Sequence, residues 1–188
     1  WGVCVGDVGL SVRVPGFSSN GYLEMEASAK GQGDEVREYM MASPLAKSVG
    51  AALTEINIAG NISTKCQLKI PFDGDQEVRA WGEAELVESD VVISTPPMLL
   101  KHVSGQVKFD NDIISSAGLS AELMGQPISV DFHGRDQKAE YHVGINVLGD
   151  WDAKPLAPYI GKHWVDPIEG HAPWSTDVDI QLKETGFN

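Results

Sequence analysis

Apolar and polar residues alternate with a period of two along most of this chain, the pattern of strands with one dry face and one wet face. Val3 to Val14 reads as a strand closed by Pro15-Gly16, and Tyr22 to Ala29 as a second closed by Gly31-Gln32-Gly33. Asp34 is placed to cap a short helix carrying Val36, Tyr39 and Met40; Ser43 followed by Pro44 opens another helix to about Leu53. Beyond it nearly everything is strand. Ile62 to Ile70 turns at Pro71-Phe72-Asp73-Gly74-Asp75, and Val78 to Val87 and Val91 to Ser94 stop at Pro96-Pro97. His102 to Phe109 turns at Asp110-Asn111-Asp112, Ile113 to Leu123 at Gly125-Gln126-Pro127, and Ile128 to Phe132 at Gly134-Arg135-Asp136. Ala139 to Leu148 ends at Gly149-Asp150-Trp151. Strands joined in order by short turns predict an antiparallel meander.

Each strand keeps one apolar side: Val107 and Phe109; Leu119 and Leu123; Ile128, Val130 and Phe132; Val143. Gln106, Lys108, Ser120, Glu122, Ser129 and Asp131 fill the other. A sheet wet on one side must cover its dry side. Two short helices are too small to cover so many strands. Either the sheet folds onto itself as a closed sandwich, or the apolar face is kept for a ligand.

Residues 43–70 are echoed in residues 154–182. Pro44-Leu45-Ala46 matches Pro155-Leu156-Ala157, and both copies run through a short helical segment and a glycine (Gly60, Gly170) into an alternating strand. Cys66, Leu68 and Ile70 then keep phase with Val178, Ile180 and Leu182. A repeated supersecondary unit buries its apolar face against its neighbours, so the expected fold is mostly β with short helices, an elongated antiparallel array with an internal repeat. Residues 1–188 then form one segment of a larger β-array. Its cut edges predict edge-to-edge homodimers of the isolated chain.

Composition narrows the partners. The formal net charge of −13 repels nucleic acid and anionic surfaces. No apolar run approaches the ~20 residues that span a bilayer. The opening Trp1-Gly2-Val3 has neither Met nor a charged leader and reads as the start of an excised piece. Cys4 and Cys66 form no Cys-x-x-Cys pair; Cys66 has the apolar phase of its strand, and whether the two are joined is left open by the sequence. His133 and His142 could meet across a hairpin, but as surface histidines rather than a zinc site. No nucleophile elbow and no phosphate loop is present, and Asp110-Asn111-Asp112 lacks the glycine and distal glutamate of a calcium loop. The chain is not expected to be an enzyme or to need a cofactor.

The order of these motifs resembles one family. Gly31-Gln32-Gly33, Tyr39-Met40, Ser43-Pro44-Leu45 and Leu68-Lys69-Ile70-Pro71 are similar to the central region of the YhdP proteins of Gram-negative bacteria. So are Ser104-Gly105-Gln106-Val107-Lys108-Phe109-Asp110, Gly125-Gln126-Pro127-Ile128 and Asn146-Val147-Leu148-Gly149-Asp150-Trp151. The resemblance covers most of the chain from Tyr22 onward. It implies an AsmA-like and TamB-like protein, anchored in the inner membrane by parts outside this chain and extending through the periplasm. It also implies a β-gutter that passes phospholipid acyl chains between inner and outer membranes. On that reading Val107, Phe109, Leu119, Leu123, Ile128, Val130, Phe132 and Val143 are wall residues of the lipid groove.

Overall fold

The computed structural model describes residues 6–15, 21–41, 56–72, 77–94, 97–137 and 140–182. Its strands are β1 (Gly6–Arg13), β2 (Tyr22–Gln32), β3 (Ile56–Ala59), β4 (Asn61–Pro71), β5 (Arg79–Ile93), β6 (Met98–Asp110), β7 (Ile113–Leu123), β8 (Gln126–Gln137), β9 (Glu140–Asp152) and β10 (His171–Leu182). All belong to one antiparallel sheet in the order β1-β2-β4-β5-β6-β7-β8-β9-β10. β3 stands off that path, paired with β5 beyond the end of β4. Helix α1 (Gly33–Met41) leaves the sheet between β2 and β3. A 3-10 turn (Lys154–Leu156), α2 (Ala157–Ile160) and α3 (Lys162–Val165) leave it between β9 and β10.

The meander fixes where the connections lie. Both helical excursions and the Met124-Gly125 hairpin fall on one rim of the sheet, and the Asn111-Asp112 turn falls on the other. Each excursion ends in a glycine with positive φ, Gly60 at +136° and Gly170 at +93°. The chain then returns beside the strand it left, Asn61 against Gln32 and His171 against Asp152. The helix expected from Ser43 to Leu53 lies outside the described residues. Its counterpart after Asp152 is broken into three short pieces by Gly161 and the prolines.

Register decides which residues share a face, because a one-residue slip would turn every side chain over. One row runs straight across nine strands: Leu10, Ala27, Cys66, Gly82, Phe109, Ile114, Gly134, Val143, Ile180. The adjacent row is Ser28, Lys65, Glu83, Lys108, Ser115, His133, Gly144, Asp179. The first row is dry and the second wet.

Besides a shift in β1 between Gly6 and Gly9, the register shifts at three bulges inside the sheet, in β5 between Leu86 and Ser89, in β6 between Lys101 and Ser104, and in β7 between Ser116 and Leu119. At these bulges Glu88 (φ 49°), His102 (φ 52°) and Gly118 (φ 73°) take left-handed backbones. A bulge bends its strand and frees an N–H. Here a neighbouring strand supplies each acceptor. Glu88 N–H donates to Ser104 Oγ at 2.9 Å, His102 N–H to Asp90 Oδ1 at 3.4 Å, and Gly118 N–H to Asp131 Oδ1.

The chain exposes 12,284 Å², whereas a compact monomer of this mass exposes about 8,800 Å². The sheet is therefore open. Even so, Leu86, Val103 and Ile128 on the dry side are only 5%, 3% and 6% exposed. Among the described residues no second sheet lies over them. That shelter, with the open strand order, points to a curved sheet whose dry side is the inner one. Leu86, Val91, Val103, Ala121 and Ile128 form its core, and Ile58 of β3 and Trp174 of β10 pack against them.

Several sequence expectations need correction. β5 is one strand of 15 residues, not two, because its bulge at Val87-Glu88 breaks the alternation without ending the pairing. The hairpin after Leu123 turns one residue early, at Met124 (φ 53°) and Gly125 (φ 77°). Gln126 is thereby left in β8, where its amide accepts from Asp152 N–H at 2.7 Å and donates to Asp152 O at 3.0 Å. Gly134-Arg135-Asp136 is not a turn, since β8 runs on to Gln137. Gly149 does not end β9, which continues to Asp152. Asp34 is not the cap of α1: the helix opens at Gly33, and Asp34 lies in its first turn.

Candidate functional site: a continuous apolar face

The dry register carries no Asp, Glu, Lys or Arg among the residues whose side chains are described. Three of its hydroxyls are turned inward to backbone carbonyls. Ser89 Oγ donates to Val87 O at 3.4 Å, Thr64 Oγ1 to Ala29 O at 3.3 Å, and Ser116 Oγ to Gln106 O. Buried hydroxyls satisfied in this way add little polarity to the surface. Among the described side chains, the result is an uncharged trough running from β1 to β10.

All eight wall positions named from the sequence stand on this face. Leu119 faces Val130, and Val130 faces Val147. Phe132 faces Ile145, Ile128 faces Gly149, and Val143 faces Gly134. Leu123 faces Leu100, Val107 faces Ala84, and Phe109 faces both Gly82 and Ile114. Leu119, Ile128 and Val143 are buried, and the other five are half-buried. Half-burial with no second sheet above it among the described residues leaves an apolar surface that a ligand can occupy.

Sequence reasoning missed the half of the trough built by β3 to β5. Ile62, Leu86, Val91 and Val103 are among its most buried residues, and Ile58 joins them. The bulges at Glu88 and His102 change the phase between Leu86 and Val91 and between Val103 and Leu100, so a strict alternation template carried from Leu86 or Val103 loses Val91 and Leu100. Three aromatic residues of this face share a feature that composition does not show: Phe109, Tyr141 and Trp174 each lie against a glycine of a neighbouring strand, Gly82, Gly134 and Gly149. Cys66 is a free thiol half-buried in the dry row, and burial pushes its pKa up. That disfavours the reactive thiolate. Cys4 lies outside the described residues.

The wet face holds the charge. Arg79 grips Asp110 with two bonds, at 3.0 and 2.6 Å, and lies over Trp81 with its guanidinium 5.0 Å from the ring. The hydrogen bond from Arg79 holds the Asp110 carboxyl below its ordinary value, its charge adding to the effect. His171 Nδ1 stands 2.7 Å from Asp150 Oδ1, and that hydrogen bond raises the histidine pKa. His133 and His142 are offset in register rather than opposed, and His142 Nδ1 is 3.6 Å from Asp179. Among the described residues no group of three or more His, Cys, Asp or Glu is placed to hold a metal ion, and no helix is long and apolar enough to cross a membrane.

Comparison with known proteins agrees with this geometry. The family model described as YhdP protein matches residues 8–188. The chain is 31% identical over 174 residues to a curated relative from Escherichia coli (strain K12), the intermembrane phospholipid transporter YhdP. The aligned stretch is 92% of this chain but 13% of that relative, so the chain spans about one-eighth of its length. No solved structure matches.

Proposed function

This chain belongs to the YhdP family, and on that footing we propose that its concave apolar face carries phospholipid acyl chains. The observation that supports the reading most directly is a register without charge among the described side chains, shared by nine consecutive strands and with no second sheet over it among the described residues. Acyl chains lie against Val107, Phe109, Leu119, Leu123, Ile128, Val130, Phe132 and Val143, while headgroups stay at the open, wet side. Each methylene taken from water contributes about 0.8 kcal/mol, so part of a tail suffices for binding. Successive rows of Val, Leu and Ile present nearly equal sites, which lets a chain slide with no chemical step. Residues 1–188 are one stretch of a bridge between inner and outer membranes, within the periplasm, built on the repeat of 43–70 and 154–182. That bridge belongs to a protein anchored in the inner membrane by its other parts, and it supports the outer-membrane permeability barrier. β1 and β10 each present an unpaired edge, so the chain in isolation pairs edge to edge.

Native mass spectrometry with lipid extraction tests the reading. Phospholipid that co-purifies with the chain, or is taken up from added vesicles, is the expected result. A chain that carries none and ignores added lipid would leave the face as the closed core of a structural domain.

A further inference from the structure

Two of the glycines that look like turns in the sequence lie in mid-strand beneath aromatic rings. Gly149 of β9 pairs with Trp174 of β10 on the dry face. A Cβ at Gly149 would stand 2.6 Å from Trp174 Nε1 and Cε2 and 2.7 Å from Cζ2. A Cβ at Gly134 of β8 would stand 2.7 Å from the Tyr141 hydroxyl, 2.8 Å from Ile114 Cγ1 and 3.0 Å from Tyr141 Cε1. In both cases the nearest atoms are all side-chain atoms, and neither glycine has a positive φ. The backbone would accept alanine at either position; the rings would not. Gly82 differs, because a Cβ there meets the backbone of Lys65 and Cys66 as well as Phe109, so packing between strands alone requires it.

What the missing methyl provides is a recess in which a ring lies flat. Trp174 is held down at its edge by Trp151, 4.7 Å away at 75°, and Trp151 is fixed by its own Nε1 donating to Pro127 O at 3.0 Å. Lying flat also buries Trp174 Nε1 with no hydrogen-bond acceptor. An unmet buried donor is unfavourable, so stability by itself is a poor reason for this pose.

We propose that Gly134 and Gly149 are clearance positions of the conduit: they let Tyr141 and Trp174 lie flat, keeping the path of the acyl chain open. The inference rests on the lipid-carrying reading of the face. A methyl at either glycine lifts the ring into the trough, where it occupies the space above Phe132 or Val147, the neighbours two residues away on the same face. Removing the ring together with the glycine restores the space.

The test uses the full-length protein in Gram-negative cells lacking their own copy, with a photo-crosslinking amino acid at Val147 or at Phe132. Wild type is expected to capture phospholipid at both positions. Gly149→Ala should reduce capture at Val147 by about tenfold, the order that overpacking energies predict. Gly149→Ala combined with Trp174→Ala should restore it. Gly134→Ala with Tyr141→Ala is the parallel pair, read at Phe132, and it decides the matter if Gly149→Ala fails to accumulate. Unchanged capture in both alanine variants overturns the proposal. So does a double variant that accumulates but captures no more than its single parent, or loss of accumulation in both alanine variants. If wild type captures no lipid, the conduit reading itself fails, and this proposal falls with it before any variant is compared.

Discussion

Replacing Val130 by aspartate separates a trough wall from a core, provided Val103→Asp is measured beside it. Val130 sits at mid-sheet between Leu119 and Val147 and is half-buried, whereas Val103 is 3% exposed inside the core cluster. A carboxylate at 130 reaches water across the open trough, so the loss in stability is about 1 kcal/mol. At 103 the charge has neither water nor a partner, and the loss is about 4 kcal/mol. For a chain of this length those values lower the melting midpoint by roughly 3 °C and roughly 12 °C. Binding should behave in the opposite way at 130. If the hydrated carboxylate keeps three methylenes from the wall, about 2.4 kcal/mol of transfer energy is lost, or roughly 50-fold in affinity. Circular dichroism melts give the first quantity, and titration with a fluorescent phospholipid gives the second. Equal destabilisation by the two substitutions would show that Val130 is sealed in a core. A folded Val130→Asp that binds lipid as the wild type does would show that the trough is not the binding surface.

Three further outcomes are expected. The Cys66 thiol, its pKa raised by burial, should alkylate about tenfold more slowly near pH 8 than a free thiol, and added phospholipid should slow it further; a rate equal to free thiol would remove Cys66 from the wall. The pKa of His171 is raised by its hydrogen bond to Asp150, so its stabilising charge is fully present below the ordinary histidine value and lost as pH rises through the raised one. Asp150→Asn should return the His171 titration in an NMR pH series to the ordinary range and abolish that pH-dependent part of stability; an unmoved titration would sink the pairing. Gly60→Ala should cost about 2–3 kcal/mol in a urea melt, because φ is +136° and the new Cβ would stand 2.9 Å from Ser89 Oγ; a neutral result would mean the β3–β4 corner relaxes freely.

Much of the fold was readable because a half-wet sheet imposes a period that few other structures share. β7 starts and ends where alternation says it should, at Ile113 and Leu123, and the asparagine turn at Asn111 is where polar residues interrupt it. The failures have one physical origin. Glycine marks a turn when the backbone needs it and marks a recess when a neighbour's side chain needs it, and a linear reading cannot tell the two apart. Gly134 and Gly149 are recesses set by Tyr141 and Trp174, residues brought near only by pairing. The bulges at Glu88 and His102 are invisible for a related reason. Their left-handed backbones are stabilised by Ser104 and Asp90 from the adjacent strand, not by local glycines. The eight proposed wall positions could be picked out because each lies in a run that keeps its own alternation, even beside the β7 bulge that precedes Leu119. Val91 and Leu100, across the bulges from Leu86 and Val103, fall out of phase with those runs.

The antiparallel order has a consequence for how such a conduit changes size. Adjacent strands advance the sheet by ~4.8 Å, so the nine strands of the main path span roughly 38 Å, the reach of the proposed conduit. Strand length sets the bore, and strand number sets the reach. The two dimensions are therefore free to vary separately. Removing a whole hairpin, such as β7 with β8, would shorten the span by ~10 Å while every remaining row kept its face. Removing one strand would reverse the direction of everything after it and move the helical excursion at 154–165 to the opposite rim. Growth and loss in this architecture proceed by twos.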